Sequence, residues 1–217
     1  MFTDRADAGE QLAGILGHLR GQDTVVLGLP RGGVPVAFRV AVALDAPLDV
    51  IVVRKLGFPG RPELAMGAVG EDGVRVLQRE VLRTGQVSEQ ELRRVEDQEQ
   101  ALVQSRVGQL RRGRSRVDLH GRVAVVVDDG LATGATARAA CLVARRLGDR
   151  RVVLAVPVAP AGATDKIEEA DEVVCVSTPA RFVAVGLHYR DFSPTRDEEV
   201  VELLDAAATR RPTQPQA

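Results

Sequence analysis

The sequence predicts a single α/β domain with a mostly parallel central sheet flanked by helices. Short apolar runs alternate with amphipathic helical patterns along most of the chain, an order typical of parallel sheets covered by helices. The run Val123–Val127 is apolar throughout, as in a strand buried on both faces. With 217 residues, 45% of them hydrophobic, the chain can form one sizeable core and a small appendage.

The first part of the chain predicts an opening helix and one βαβ unit. The opening helix has its leucines and isoleucine on one face. Pro35 stands in the first turn of the next helix, where its missing N–H costs little. The crossover between the two strands should be right-handed. We assign helices to Asp7–Leu19 and Val34–Leu44, and strands to Thr24–Leu29 and Leu48–Val53.

A second βαβ unit follows in the C-terminal half. Its helix carries an apolar stripe and is followed by Gly148, a residue common after helix ends. A further short helix leads to the last strand. We assign strands to Val123–Val127, Val152–Val156 and Val173–Val176, and helices to Thr136–Leu147 and Asp165–Ala170.

An insertion of about residues 56–118 separates the two units. Glu63–Val76 predicts a β-hairpin, because two apolar runs flank a turn at residues 71–73. A long polar helix is predicted from Ser88 to Arg112. Ser88 and Glu91 form a capping box at its start, and a thin apolar stripe follows.

Composition and charge narrow the function classes. The formal net charge is −1. The protein as a whole therefore lacks the positive electrostatic potential expected of a protein that binds nucleic acid or acidic membranes. No apolar run reaches membrane-spanning length, and the first residues lack the basic and apolar regions of a signal peptide. We expect a cytoplasmic protein with two buried thiols, Cys141 and Cys175, and a disordered tail at Thr209–Ala217.

The strand Val123–Val127 ends in two carboxylates, Asp128 and Asp129, followed by a small-residue turn that opens a helix. Open α/β sheets bind ligands at the carboxyl edge of their strands, and N–H groups at a helix N-terminus can bind a phosphate. Ribose 5-phosphate has the matching shape, with hydroxyls at one end and a phosphate at the other. The alternative is a solvated Asp-Asp-Gly turn, which leaves Thr133–Thr136 unexplained.

The segment Val125–Thr136 resembles the signature of the type I phosphoribosyltransferases, which bind phosphoribosyl pyrophosphate (PRPP). In that family two acids hold the ribose hydroxyls and the next loop binds the 5′-phosphate. The resemblance implies the type I fold over residues 1–208, with a C-terminal hood at about residues 177–205. It assigns the ribose to Asp128 and Asp129, and the phosphate to Ala132, Thr133, Gly134, Ala135 and Thr136.

The loop Pro30–Gly33 ends the first strand at the same edge of the sheet. Its counterpart in the family binds pyrophosphate and commonly contains a cis peptide. The resemblance therefore implies that Arg31, Gly32 and Gly33 bind pyrophosphate, with a cis bond at Pro30–Arg31 or Leu29–Pro30. The alternative is a plain Pro-Gly turn.

Two further groups of residues are candidates for the site. Lys55 or Arg54, after the second strand, could neutralise a departing pyrophosphate, or could be a solvated basic pair. The insertion takes the place of the family's mobile catalytic loop, which suggests a lid that excludes water. Phe182 and Tyr189 could stack on an acceptor, although anchoring of the C-terminal segment is the commoner role for such residues.

The resemblance implies an enzyme that moves ribose 5-phosphate from PRPP to a nitrogenous acceptor in nucleotide metabolism. Asp128, Asp129 and Lys55 would be its catalytic residues. Mg²⁺ would be bound through the pyrophosphate and ribose oxygens with few or no direct protein ligands, and a homodimer would be consistent with the family. The alternative is a PRPP- or nucleotide-sensing regulator with little turnover, which the neutral charge and the lack of a DNA-binding motif disfavour.

Overall fold

A five-stranded, all-parallel sheet forms the centre of the computed structural model, which describes residues 1–210 apart from the side chains of Pro62, Glu63 and Arg79. The strands are β1 (Thr24–Gly28), β2 (Leu48–Val50), β3 (Val53–Phe58), β4 (Arg61–Gly70), β5 (Arg75–Leu77), β6 (Val123–Val127), β7 (Arg151–Val158) and β8 (Glu172–Ser177). The central sheet has the order β2-β1-β6-β7-β8, and β3-β4-β5 form a second, antiparallel sheet. The predicted α/β class is confirmed.

Helices cover both faces of the central sheet. Alternate residues of β6 explain its apolar run: Val125 packs in a core with α1 and α2, whereas Ala124 and Val126 pack in a second core with α5. Because both faces are buried, no position in the strand favours a polar side chain. The helices are α1 (Arg5–Ile15), α2 (Gly33–Leu44), α3 (Arg79–Thr84), α4 (Glu89–Arg111), α5 (Ala135–Arg146) and α6 (Asp197–Thr209).

Three predicted elements differ from the structure. The opening helix ends at Ile15, and a 3₁₀ turn over Gly17–Leu19 replaces its last residues, since glycine is a poor helix former. The second strand stops at Val50 because Val53 begins the antiparallel sheet. Only a 3₁₀ turn, Thr164–Lys166, forms where a helix was predicted, because a short helix needs an apolar face to pack and only Ile167 is buried there.

The insertion contains the predicted hairpin and long helix. β4 and β5 pair around a turn at Glu71–Gly73, and Ser88 with Glu91 forms the capping box of α4. Arg54 and Lys55 do follow the second strand, but they lie in a further strand, β3, which was not predicted from the sequence and pairs with β4. The short helix α3 was not predicted from the sequence.

A buried ion-pair cluster ties the insertion to the central sheet. Arg111, at the end of α4, is only 6% exposed. Its Nε donates to Asp49 on β2 at 2.9 Å, its Nη1 donates to Glu71 at the hairpin turn, and its Nη2 donates to the carbonyl of Val50 at 3.0 Å. The C-terminal end of α4 is therefore fixed against the main sheet.

The C-terminal segment contains a helix, α6, that was not predicted from the sequence. The expected hood at residues 177–205 contains a loop rich in aromatic residues and most of α6, whose Val200 and Leu204 pack in the core that includes α2. Thr209, where the disordered tail was predicted to begin, is the last residue of α6. The rest of that predicted tail, from residue 211 on, lies outside the described residues.

None of the helices within residues 1–210 combines the length and the apolar character needed to cross a membrane.

Candidate active site

The two predicted ligand loops meet at the carboxyl edge of the central sheet, because β1 and β6 are neighbours. The N–H of Leu29 donates to the carbonyl of Val127 at 2.8 Å, which joins the end of one strand to the other. A Cβ placed on Gly32 would lie 1.9 Å from Oδ2 of Asp129, and one on Gly33 would lie 2.6 Å from the carbonyl of Val127. Only glycine permits this close approach of the two loops.

The Pro30–Arg31 peptide bond is cis, which confirms the first of the two positions that the resemblance implies. The side chain of Arg31 is 52% exposed and turns toward α6, where its Nη1 lies 3.8 Å from Oδ1 of Asp197. Asp197 is in turn held by Arg106 of α4. Neither Asp197 nor Arg106 was singled out in the sequence.

The side chains of Asp128 and Asp129 are adjacent, and both residues are partly buried. Burial raises the pKa of Asp128 to about 8, and the adjacent charge of Asp129 adds to the shift. Burial also raises the pKa of Asp129, against the opposing effect of a hydrogen bond from Arg5. Two close carboxylates in such a place can hold one proton between them, which suits an acid/base pair.

Arg5 contacts the acid pair and was not predicted as a candidate from the sequence. Its Nε donates to Oδ2 of Asp129 at 2.9 Å, its Nη1 donates to the carbonyl of Ser193 at 2.8 Å, and its guanidinium lies 4.0 Å from the ring centre of Phe192. Asp129 is 124 residues away in the chain, so no local pattern could have revealed the contact. Asp4 caps the helix that begins at Arg5 and so fixes where the arginine starts.

The predicted phosphate-binding turn opens α5. Gly134 has φ of 76°, a left-handed conformation that glycine adopts without strain, and α5 begins at the next residue. Ala132, Thr133, Ala135 and Thr136 are exposed around it. The first N–H groups of a helix have no partner within the helix and face outward along its axis. The turn therefore has the backbone arrangement with which helix N-termini bind anions in other proteins.

Two clefts flank this turn. A cleft of about 230 Å³ lies between α5 and the antiparallel sheet, and its lining includes Lys55, Thr133 and Ala135. We call it the α5 cleft. A second one of about 320 Å³, the α4 cleft, is lined by Leu29, Pro30, residues 51–53, Arg54, Leu102, Ser105, Arg106, Gln109 and Thr136.

The structure separates the two cations considered for pyrophosphate. Successive residues of a strand point to opposite faces, so Arg54 lines the α4 cleft with Pro30 while Lys55 lines the α5 cleft beside the phosphate turn. Arg31 lines neither cleft. The three predicted cations therefore surround the phosphate turn and the loop after β1 without converging on one point.

The aromatic residues near the C-terminus anchor that segment. Tyr189 is 5% exposed, its ring lies 5.3 Å from that of Phe2 and 5.0 Å from that of Phe192, and its hydroxyl donates to the carbonyl of Asp129 at 2.6 Å. This arrangement favours anchoring over acceptor stacking for Tyr189. Phe182 is half-buried and stacks on His188 with a centroid distance of 5.4 Å.

Comparisons with known proteins show the family to which the chain is similar. The family model of the phosphoribosyl transferase domain matches residues 5–190. Proteins from two strains of Mycobacterium tuberculosis, CDC 1551 and H37Rv, are each 57% identical over 208 residues, and both are named "Putative phosphoribosyl transferase". The match covers 95% of this chain but 47% of each relative. The chain thus spans about half the length of these relatives.

A crystal structure of a protein from Thermus thermophilus has the same fold. It is 46% identical to this chain, with a TM-score of 0.86, and the match covers 94% of this chain and 97% of that one.

Proposed function

Because the chain belongs to the phosphoribosyl transferase domain family, we propose that it transfers ribose 5-phosphate from PRPP to a nitrogenous acceptor and releases pyrophosphate. One observation carries the proposal. The Asp128-Asp129 pair lies between the Gly32-Gly33 loop and the N-terminus of α5, all on one edge of the sheet. A ribose with a diphosphate on one side and a 5′-phosphate on the other matches that order of groups.

In this proposal the carboxylates hold the ribose and the turn at residues 132–136 holds its 5′-phosphate. The two contacts fix the anomeric carbon in line for attack, which lowers the entropic part of the barrier. Burial raises the pKa of both acids, and the member of the pair that is ionised can take a proton from the acceptor as the new bond forms. Lys55 lies beside the phosphate turn in the α5 cleft, so its positive charge favours the bound 5′-phosphate and not the pyrophosphate on the other side of the acid pair.

The residues present fit a magnesium complex of PRPP. Within residues 1–210 no group of three or more His, Cys, Asp or Glu side chains lies together as a protein-made metal site would require. Magnesium is commonly held by one or two carboxylates, water and substrate phosphates, and the Asp128-Asp129 pair offers carboxylates at the site. When bound, Mg²⁺ would neutralise charge on the diphosphate.

A pyrophosphate-release screen tests the proposed function. The chain is mixed with PRPP, Mg²⁺ and a panel of bases and amines, and pyrophosphate is measured with and without each acceptor. We expect release with at least one acceptor, and no release from a variant with both Asp128 and Asp129 changed to Asn. Tight PRPP binding without release for any acceptor would instead favour the regulatory alternative.

Replacement of Arg5 should change the pH dependence of PRPP binding. The guanidinium of Arg5 opposes the rise in the pKa of Asp129, so its loss raises that pKa further. Protonation then removes the ribose-binding charge at a higher pH than in the unmodified protein. For Arg5→Gln we expect the acidic limb of the affinity profile to move to higher pH, with PRPP affinity near neutral pH reduced by roughly tenfold.

The profile is measured by titration calorimetry across the acidic and neutral range. Arg39→Gln, which removes a partly exposed arginine paired with Glu10 at 3.5 Å, serves as the matched control and should leave the profile in place. An acidic limb that stays where it was in Arg5→Gln would refute the role given to Arg5.

A further inference from the structure

The α4 cleft adjoins both ends of the proposed substrate site. Pro30 of the cis peptide and Thr136 of the phosphate turn are in its wall, and the opposite wall is a face of α4 that carries Leu102, Ser105, Arg106 and Gln109. Its volume is about 320 Å³. The cleft therefore lies beside the substrate-binding edge of the sheet, and the proposed function places no part of the substrate in it.

Two arginines line this cleft, and a third approaches the acidic partner of one of them. Arg54 lines it and donates from Nε to Glu99 of α4 at 2.8 Å. Arg106 also lines it and donates from both terminal nitrogens to the carboxylate of Asp197, at 2.5 and 2.6 Å. Arg31 approaches the same carboxylate at 3.8 Å. Two guanidinium groups thus share a single carboxylate next to the cleft.

The planar fork of an arginine binds a carboxylate and a phosphate with the same two-point geometry. Asp197 therefore occupies on Arg106 the position that two oxygens of a phosphate group could take. Its side chain is 39% exposed, and it stands in the first turn of α6 with Glu198 and Glu199. An acidic side chain there is stabilised by the helix N-terminus, so Asp197 can lose Arg106 and remain a solvated carboxylate.

Arg106 is held on a rigid support. Val103 and Leu110, on either side of it in α4, are fully buried, and Arg111 fixes the end of the helix to Asp49 and Glu71. A cation placed on such a helix needs little reorganisation to meet an anion.

We propose that Arg106 is a diphosphate-binding residue and that Asp197 occupies its guanidinium fork until a diphosphate displaces it. Arg31, which shares Asp197, then becomes available to the same anion. The ligand class is a magnesium diphosphate, either free pyrophosphate or the diphosphate group of PRPP. The inference rests on the proposed function, and it assigns part of the leaving-group contact to the long helix of the insertion.

Calorimetric titration with inorganic pyrophosphate and Mg²⁺, and separately with PRPP and Mg²⁺, tests this assignment. For Arg106→Gln we expect pyrophosphate affinity to fall by about tenfold, the effect of losing one charged two-point contact. For Asp197→Asn we expect it to rise severalfold, because the competing charge is gone while Arg106 stays. Arg93→Gln, an exposed arginine on the same helix paired with Glu89, is the matched control and should bind as the unmodified chain does.

The outcomes separate the two proposals. If the unmodified chain binds neither PRPP nor pyrophosphate, the proposed function fails. If it binds both and Arg106→Gln binds pyrophosphate equally well, Arg106 is not a ligand-binding residue. If Arg106→Gln binds pyrophosphate more weakly but Asp197→Asn binds it as the unmodified chain does, Arg106 binds the anion and the proposed competition with Asp197 is wrong. Thermal unfolding of each variant shows whether it is folded. If Arg106→Gln is not folded, the pyrophosphate affinity of Asp197→Asn decides whether the proposal stands.

Discussion

Replacing both Asp128 and Asp129 with alanine should abolish PRPP binding while making the folded chain more stable. Each carboxylate can accept hydrogen bonds from ribose hydroxyls, and charged hydrogen bonds contribute about 1.5–3 kcal/mol apiece. The loss of two such contacts corresponds to a fall in affinity of roughly 10³-fold. Binding is measured by titration calorimetry with PRPP and Mg²⁺.

Stability should change in the opposite direction because the pair is costly to bury. The pKa of each acid is raised by burial, so each group binds protons more readily when folded than when unfolded. Such a group stabilises the fold below its unfolded pKa, and this contribution is lost as pH rises through the folded pKa. At neutral pH, urea unfolding of the alanine variant should therefore show a gain.

The variant with both acids changed to asparagine separates charge from shape. It keeps the size of the side chains, so a similar loss of PRPP affinity would attribute binding to the charge. Unchanged PRPP affinity in the alanine variant would remove these two residues from the ribose site. A loss of affinity accompanied by a large loss of stability would show that the pair supports the fold instead.

Replacing Arg111 with methionine should destabilise the protein by about 3–5 kcal/mol, the usual cost of leaving a buried charge without its partner. Arg111 donates to both Asp49 and Glu71, and all three residues are at most 6% exposed. Asp49 keeps hydrogen bonds from the N–H groups of Val50 and Val117, and Glu71 keeps one from Val52. These neutral donors do not replace a cation.

The deficit of Arg111→Met should depend on pH. Burial already raises the pKa of Glu71 above its usual value of 4.5, while the charge and hydrogen bonds of Arg111 lower it. Without Arg111 the pKa rises further, and the protonated side chain is favoured in the folded state. Stability is then lost as pH increases through the new value, so the deficit should be larger near about pH 7.5 than near about pH 5.

Urea unfolding at both pH values measures this effect, with Arg93→Met on the exposed face of the same helix as control. The control should change little at either pH, because exposed ion pairs contribute little to stability. An equal deficit at the two pH values would mean that Glu71 does not titrate in that range. No deficit at all would mean that the three buried charges do not depend on one another.

The parts of the site that could be predicted from the sequence are those written in a single local stretch. The apolar run before Asp128, the two acids and the small residues that open α5 occur in one segment, and the Pro30–Gly33 loop is equally local. The roles of Arg5 and Arg106 depend instead on partners that are 124 and 91 residues away in the chain. Neither arginine differs in its local sequence from the solvated arginines elsewhere in the chain.

The fold shows the same division. β3 was missed because Val53–Phe58 carries two adjacent cations and has no alternating apolar pattern, and it becomes a strand only through pairing with β4. α6 is a different case. Val200, Leu203, Leu204 and Ala207 have helical spacing and all contact the core, so the sequence does carry the signal for this helix.

The contacts among residues 2–5, residues 188–193 and Asp129 have a consequence for the order of folding. The N–H of Phe2 donates to the carbonyl of His188, and the N–H of Arg190 donates to the carbonyl of Phe2, each at 2.8 Å. Contacts between residues this far apart in the chain form late in folding, because the entropy of the intervening chain is lost before the contact stabilises the protein. The carboxylate pair should therefore gain its contact with Arg5 in one of the last folding steps.

Tyr189 is the sole tyrosine in a chain without tryptophan, so its fluorescence during refolding reports when this contact region forms. Burial of Tyr189 as fast as formation of the central sheet would contradict a late step.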